Sequence, residues 1–188
     1  MKKHLLAALA LLTCTAALAA PCDTTTDELA STPLMYSARD GDLRNVRCLL
    51  DAGANINATD TGGLTALIHA AILGHTDIAK LLIEKGAHVN ASDALGFTPL
   101  MGAAGQGHAD TARLLIEKGA NVNATDTDGW TALIHAATYG QTDTVRLLIE
   151  HGADINATNK DGKTALSLAK EQGHTAIVQM LKAAGTKK

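Results

Sequence analysis

The chain has 188 residues, a length that suits one domain of ordinary size. Apolar residues make up 46% of it and aromatic residues only 2%, so its core must be assembled from many small aliphatic contacts rather than from a few rings. The 16 basic residues against 19 acidic ones give a formal net charge of −3, which argues against the clustered positive surface that nucleic-acid binding needs.

Residues 1–20 have the three parts of a secretory signal peptide. Lys2 and Lys3 form a short basic region, residues 5–18 form an apolar run, and Ala17-Leu18-Ala19 has the small residues of a cleavage site. The run is too short to span a hydrocarbon core of about 30 Å comfortably. We therefore expect a cleaved signal peptide over 1–20, a short N-terminal segment over 21–26, and export to the periplasm of a bacterium.

Two other fates of the N-terminus stay open. A retained membrane anchor would use the same apolar run, and a lipid-modified N-terminal cysteine would use Cys14 or Cys22. The shortness of the run speaks against the anchor. Thr13 and Pro21, which precede the two cysteines, speak against lipidation because that position requires a small, unstrained residue.

From Thr32 onward the chain repeats itself every 33 residues. The register is marked by tripeptides of the form Thr-Pro-Leu or Thr-Ala-Leu, which begin at Thr32, Thr65, Thr98, Thr131 and Thr164. Copies in one register without an insertion predict a single stack over 27–185, with repeats at about 27–59, 60–92, 93–125, 126–158 and 159–185. Residues 27–31 are expected to start the stack.

Each repeat carries the signals of two short helices and an extended turn. In the second copy, Thr65 is placed to cap the first helix, Gly74 to end it, and Gly86 to end a second helix over about 77–85. Residues 87–96 are rich in Asn, Asp and Gly, which predicts a turn. Two short helices cannot bury their apolar faces alone, so neighbouring repeats must stack into an all-α solenoid.

The 33-residue period and the Thr-Pro-Leu-x-x-Ala pattern resemble the ankyrin repeat over nearly all of the chain after residue 26. The resemblance implies five stacked helix-turn-helix repeats with connecting β-turn fingers, and a concave surface of turn tips and first helices that binds another protein. The slot that holds histidine in the family is filled by Met35, Ile68, Met101, Ile134 and Ser167. We expect apolar packing to replace the hydrogen bonds of that histidine in four of the repeats.

The last copy carries Lys170 and Lys182 at slots that are apolar in earlier copies. A repeat without a following neighbour should present a polar outer face, so these lysines predict the end of the stack.

The slots that differ between copies predict the binding surface, because they are free to serve a partner. Three of the four aromatic residues, Phe97, Trp130 and Tyr139, occupy such slots at the turn tips and first-helix ends, and clustered exposed aromatics are typical of interface hot spots. The full candidate set is Leu64, Ile72, Leu73, Leu95, Phe97, Gln106, Trp130, His135, Tyr139 and Lys163. The alternative is that Phe97 and Trp130 only pack on adjacent turns and stiffen the stack.

The remaining chemistry-bearing residues recur at fixed slots and therefore indicate structural roles. His69 and His135 are two repeats apart, too far for one metal ion to bridge. The aspartates at one repeated slot are expected to bond to the turn backbone: Asp60, Asp93 and Asp126. The histidines after the helix-ending glycines are expected to act as turn and cap residues: His75, His108 and His174. No nucleophile with a base and no phosphate-binding loop is evident, so we expect no enzymatic activity, cofactor, metal or small-molecule substrate.

After removal of the signal peptide, Cys22 and Cys48 remain. An even count in an exported protein suggests a disulfide between them, worth about 3–4 kcal/mol in the chain-entropy model. Cys48 can equally be a small core residue, because Leu81 and its counterparts fill its slot in later copies. Both possibilities stay open.

Together these observations predict an exported scaffold that binds another protein. Resemblance to exported bacterial proteins of this type implies support of a periplasmic enzyme, such as catalase, in protection against oxidative stress. Two alternatives are an immunity or inhibitor protein that occludes an enzyme or toxin, and a membrane-anchored structural protein of the envelope.

Overall fold

The computed structural model describes residues 32–185, so the predictions for residues 1–31, which include the signal peptide and the starting cap, lie outside this range. The described part is helical and forms five consecutive helix pairs, as the repeat predicts. The pairs are α1 Pro33–Asp40 with α2 Leu43–Asp51, α3 Ala66–Ile72 with α4 Thr76–Glu84, α5 Pro99–Gln106 with α6 Ala109–Glu117, α7 Ala132–Thr138 with α8 Thr142–Glu150, and α9 Ala165–Glu171 with α10 Thr175–Gly185.

Each first helix begins after a threonine whose hydroxyl accepts the backbone N–H of the residue three positions on. The predicted cap at Thr65 is of this kind. The slot three residues after the threonine, where the family has histidine, is more varied than predicted. Ile68 is buried and apolar, whereas the sulfur of Met101 accepts the backbone N–H of Thr98 at 3.5 Å and so keeps a weak polar contact.

A continuous aliphatic core runs along the stack between the two layers of helices. The first helices meet through alanines such as Ala70, Ala71, Ala103 and Ala104, all fully buried, whose small side chains let the backbones approach closely. The second helices contribute larger side chains, and α4 buries Ile78, Leu81 and Leu82. This pattern explains how a chain with so few aromatic residues fills its interior.

The turns that precede the first helices are the fingers of the stack. Hydrogen bonds between these fingers join each repeat to the next. Successive fingers are linked through their backbones by Ala94 N–H to Gly62 O, Thr127 N–H to Leu95 O and Lys160 N–H to Asp128 O, at 2.8–3.0 Å. The fingers therefore form a connected row rather than independent loops.

An asparagine in each of three turns both donates a hydrogen bond to the following repeat and accepts one from it. The Nδ2 of Asn90 donates to Gly119 O at 3.0 Å, and its Oδ1 accepts the N–H of Asn121 at 2.8 Å. Asn57 and Asn123 make the equivalent pairs of bonds. The repeated asparagine is thus a link between repeats.

The histidines after the helix-ending glycines hold the predicted turn and cap positions, since His75 and His108 are the N-cap residues of α4 and α6. Their side chains make no cap bond. Instead, the ring Nε2 of each lies 3.0–3.1 Å from a carbonyl oxygen in the preceding repeat, as does that of His174; the three acceptors are Arg39 O, Ile72 O and Thr138 O. Gln141 serves in repeat four, where its Nε2 donates to Gly105 O.

The last repeat is exposed at both predicted capping positions, Lys170 and Lys182. Near the other end, Cys48 lies half-buried in α2. Cys22 lies outside the described residues, so the disulfide stays a prediction. Within residues 32–185, the helices are all too short or too polar to cross a bilayer.

Candidate functional site

In the fingers of repeats two to four, an aspartate at the start holds the backbone of the residue that precedes the capping threonine. Asp126 Oδ1 accepts the N–H of Asp128 at 2.9 Å and that of Trp130 at 2.8 Å. Asp93 does the same for Phe97, and Asp60 for Leu64, so the predicted turn role of these carboxylates is confirmed. Two of the three aromatic candidates therefore stand on backbone that is already fixed.

Phe97, Trp130 and His135 form one group, which we call the aromatic cluster. The His135 ring centroid lies 5.0 Å from that of Trp130 and 5.5 Å from that of Phe97, the latter edge-to-face at 86°. Both distances and the edge-to-face angle fall within the range in which aromatic pairs attract. His135, from α7, thus ties the fingers of repeats three and four to the helix layer.

The aromatic cluster contains an unusual polar atom. Within residues 32–185, His135 Nε2 is buried without a hydrogen-bond partner, and the carboxylate oxygen Asp126 Oδ2 lies 3.7 Å away. Burial lowers the pKa of His135 below its ordinary value, and the Asp126 carboxylate opposes that shift. The imidazole is therefore held in its neutral form near pH 7.

Repeat two contains the counterpart without the rings. His69 Nε2 lies 3.9 Å from Asp60 Oδ2, and burial again lowers the pKa of His69 while Asp60 opposes the shift. Leu64 occupies the slot that Trp130 fills two repeats later. The histidine–aspartate pair thus recurs, whereas the aromatic cluster belongs to repeats three and four.

Repeat three differs from its neighbours through two glycines of α5, and the role of the first, Gly102, was not predicted from the sequence. A Cβ on Gly102 would lie 2.7 Å from Ile72 Cγ1 and 3.4 Å from Phe97 Cε1, and one on Gly105 would lie 3.6 Å from Tyr139 Cδ2. Side chains of repeats two and four therefore lie over a bare stretch of α5. Gly102 stands where repeats two and four have histidine, which was the signal available in the sequence.

The candidate side chains differ in exposure. Leu73 is 45% exposed, Leu95 65% and Tyr139 62%, and these are the large exposed hydrophobic residues of the described part. Phe97, Trp130 and Ile72 are half-buried, so they pack within the stack and also form part of its surface. Whether the aromatics bind a partner stays a prediction. We call Ile72, Leu73, Leu95, Phe97, Trp130 and Tyr139 the apolar patch.

The other candidates border this patch. Gln106 is exposed at the end of α5, and Leu64 is half-buried at the tip of the preceding finger. Lys163 donates to Glu171 Oε2 at 2.8 Å, and this hydrogen bond raises the pKa of Lys163. Its ammonium group is thus already engaged in an ion pair of repeat five.

The candidate surface is made mainly of apolar and aromatic side chains. Among residues 32–185 there is no group of His, Cys, Asp and Glu side chains that could hold a metal ion. Apolar and aromatic side chains on fixed backbone can instead bury area against a partner without a large ordering cost.

A family model described as "Ankyrin repeats" matches the chain in three overlapping copies, over residues 4–93, 34–126 and 100–188. The matches together cover almost the full length. Comparison with curated proteins finds no match.

Proposed function

The chain belongs to the ankyrin-repeat family, a family of protein-interaction scaffolds that are typically not enzymes, and we therefore propose that it holds another protein against the concave surface of repeats two to four. The observation that carries this proposal is the exposure of Leu73 and Tyr139, which end the first helices of repeats two and four, and of Leu95 at a turn tip. Large exposed apolar groups that cluster on a folded protein mark interaction sites.

The rigidity of the surface supports the same function. Tyr139 lies against Gly105, and Trp130 and Phe97 are braced by His135 and by the aspartates of their turns. Aromatic anchors that are ordered before binding lose little entropy on complex formation, which favours affinity.

The proposed place of action is the periplasm. Support comes from the basic start, the apolar run and the small-residue site of residues 1–20. The first partner to test is a periplasmic enzyme, with catalase as the example that the family resemblance suggests. A stable one-to-one complex with a hydrolase or toxin would point to the inhibitor alternative, and recovery of the intact chain in the membrane fraction would point to the anchored envelope protein.

Affinity capture from a periplasmic extract tests the surface directly. The baits are the wild-type protein, Tyr139→Ser and, as a matched control on the outer surface, Arg113→Ser. Tyr139 and Arg113 are both exposed, so neither change should disturb folding. We expect wild type and Arg113→Ser to retain the same protein, and Tyr139→Ser to bind it at least about 30-fold more weakly, as for a hot-spot residue. Equal retention by all three baits would contradict the proposed surface.

A further inference from the structure

The apolar patch lies in a part of the surface that carries almost no charge. The turn tips of repeats two to four are residues 61–64, 94–97 and 127–130, and the first helices end at 72–73, 105–106 and 138–139. Asp128 is the one formally charged residue among them. The neighbouring Asp60 and Asp126 are largely buried, and each uses Oδ1 to accept turn amides.

The charges that border this area are paired with one another. Lys160 lies 3.5 Å from Asp128, Lys163 lies 2.8 Å from Glu171, and in repeat one Arg39 lies 3.0 Å from Asp40. Such exposed pairs add little to stability. They do leave each of these cations beside a carboxylate of its own chain, so none is free to attract an acidic partner.

The second helices of repeats two to four, α4, α6 and α8, are the outer helices of the stack. They show that this lack of charge is specific to the inner surface, which is formed by the turn tips and first-helix ends. In repeats two to four these helices expose a dense mixture of acids and bases: Asp77, Lys80, Glu84, Asp110, Arg113, Glu117, Asp143, Arg146 and Glu150. Composition alone would distribute such residues over both surfaces. The turn tips and first-helix ends of the same three repeats expose Thr, Gly, Ala, Leu, Gln and Tyr instead, with Asp128 as the one charged residue.

We propose that the partner presents an uncharged, apolar segment of its chain to the patch, with aliphatic or aromatic side chains seated against Leu73, Leu95 and Tyr139. This proposal rests on the proposed protein-binding function. A charged segment would give up hydration without meeting an opposite charge, whereas an apolar segment loses nothing in a neutral environment. Affinity then comes from buried apolar area and depends weakly on salt.

Gln106 offers a test that depends on the sign of the partner's charge. It is exposed at the end of α5, in the slot that corresponds to Leu73 and Tyr139 in the adjacent repeats. For an uncharged apolar segment, Gln106→Glu and Gln106→Lys should both weaken binding, because either charge would be desolvated. For a charged segment, one substitution should weaken binding and the other should strengthen it.

The probes are linear peptides selected from a random phage-displayed library on the immobilised wild-type protein. Their affinities are then measured for the wild type, the two Gln106 variants and the double variant Leu95→Ser/Tyr139→Ser. We expect selected peptides rich in Leu, Ile, Phe, Trp or Tyr, with affinities that change by less than about twofold between low and high salt. Both Gln106 variants should bind them several-fold more weakly, and the double variant at least about tenfold more weakly.

The outcomes separate the two proposals. Selected peptides rich in Lys, Arg, Asp or Glu, with opposite responses to the two Gln106 variants and with binding lost in the double variant, would overturn the uncharged segment and leave the binding surface in place. Peptides that bind the double variant as well as the wild type, or a library that enriches no sequence over the double variant, would overturn both.

Discussion

Repeat three and its two neighbours share a backbone but differ in what they place on the inner surface. The first helices of repeats two and four both contain Ala-Leu-Ile-His-Ala-Ala, and each histidine faces an aspartate at 3.7–3.9 Å. Repeat three has Gly102 in place of that histidine and Gly105 one turn later, and the side chains of its neighbours lie over both.

This difference shows how a regular stack can acquire a specific surface. Repeats two to four all keep the capping threonine, the buried alanines and the links to their neighbours, because these hold the stack together. Because repeat three has glycines at two positions of its first helix, Ile72 and Tyr139, from the repeats on either side, can approach the bare surface of α5. The irregular repeat is therefore the centre of the apolar patch.

The strongest test is to make repeat three resemble its neighbours. Gly102→His should destabilise the protein by about 2 kcal/mol, because even its Cβ would lie 2.7 Å from Ile72 Cγ1 and 3.4 Å from Phe97 Cε1. The matched control is Gly105→Ala, whose Cβ would make ordinary contacts at 3.6 Å. It should stabilise the protein by about 0.5–1 kcal/mol through helix propensity. Urea unfolding gives both values, and changes of the same sign would show that the two glycines do not differ in this way.

A second irregularity of repeat three affects the outer helices. Thr76, which begins α4, shares a 2.7 Å hydrogen bond with Thr111, 35 residues on. Ala109 stands 35 residues before the buried Thr144, where a threonine would be needed to make the same bond. Within the described residues, Thr144 Oγ1 therefore has no hydrogen-bond partner. Ala109→Thr should therefore stabilise the protein by about 1 kcal/mol, and Thr76→Ala should destabilise it by about 1–2 kcal/mol by leaving Thr111 unpaired.

Thermal unfolding of the two single variants measures these effects. The double variant Ala109→Thr/Thr144→Val is the control, because it removes the hydroxyl that the new threonine is meant to satisfy. A gain from Ala109→Thr that persists when the double variant is compared with Thr144→Val alone would show that Ala109→Thr acts in another way.

The finest difference between the repeats concerns pH. Burial lowers the pKa of His69 and of His135 in the folded state, whereas both titrate at about 6.5 in the unfolded chain. The unfolded state therefore binds more protons as the pH falls through about 6.5. The stability that these neutral histidines contribute is complete above that pH and is lost as the pH falls from there to the folded pKa.

Urea unfolding between about pH 7.5 and about pH 5.5 should show this loss, and the double variant His69→Gln/His135→Gln should show a shallower dependence. His88→Gln, at an exposed position of repeat two, is the control, because it removes a histidine that belongs to neither histidine–aspartate pair. Because Trp130 is the sole tryptophan and stacks on His135, its fluorescence should change over the same range in the wild type. An unchanged slope in the double variant would contradict the assignment.

The parts of this structure that could be predicted from sequence are those that recur every 33 residues. Thr65, Asp93 and Gly74 act on backbone close by in the chain, so a comparison of copies was enough to assign their roles. The candidate surface followed from the slots that vary, and Leu73, Leu95 and Tyr139 are indeed exposed.

Contacts between repeats were harder to predict, because they join different slots. His108 reaches Ile72, 36 residues earlier, and Thr111 reaches Thr76, 35 residues earlier. A comparison of residues 33 apart matches like with like and does not reveal these partners. The role of Gly102 was hidden for a related reason, since what a missing side chain admits depends on the neighbouring repeats.

The hydrogen bonds that cross each repeat boundary also decide how the molecule would fail under load. Within residues 32–185, the histidine or glutamine, asparagine and finger contacts each join one repeat to an adjacent repeat. A protein stretched between its ends should therefore peel from its terminal repeats inward. A bound partner that contacts repeats two to four would hold these repeats together. Binding at the concave surface should therefore raise the force needed to unfold the middle repeats.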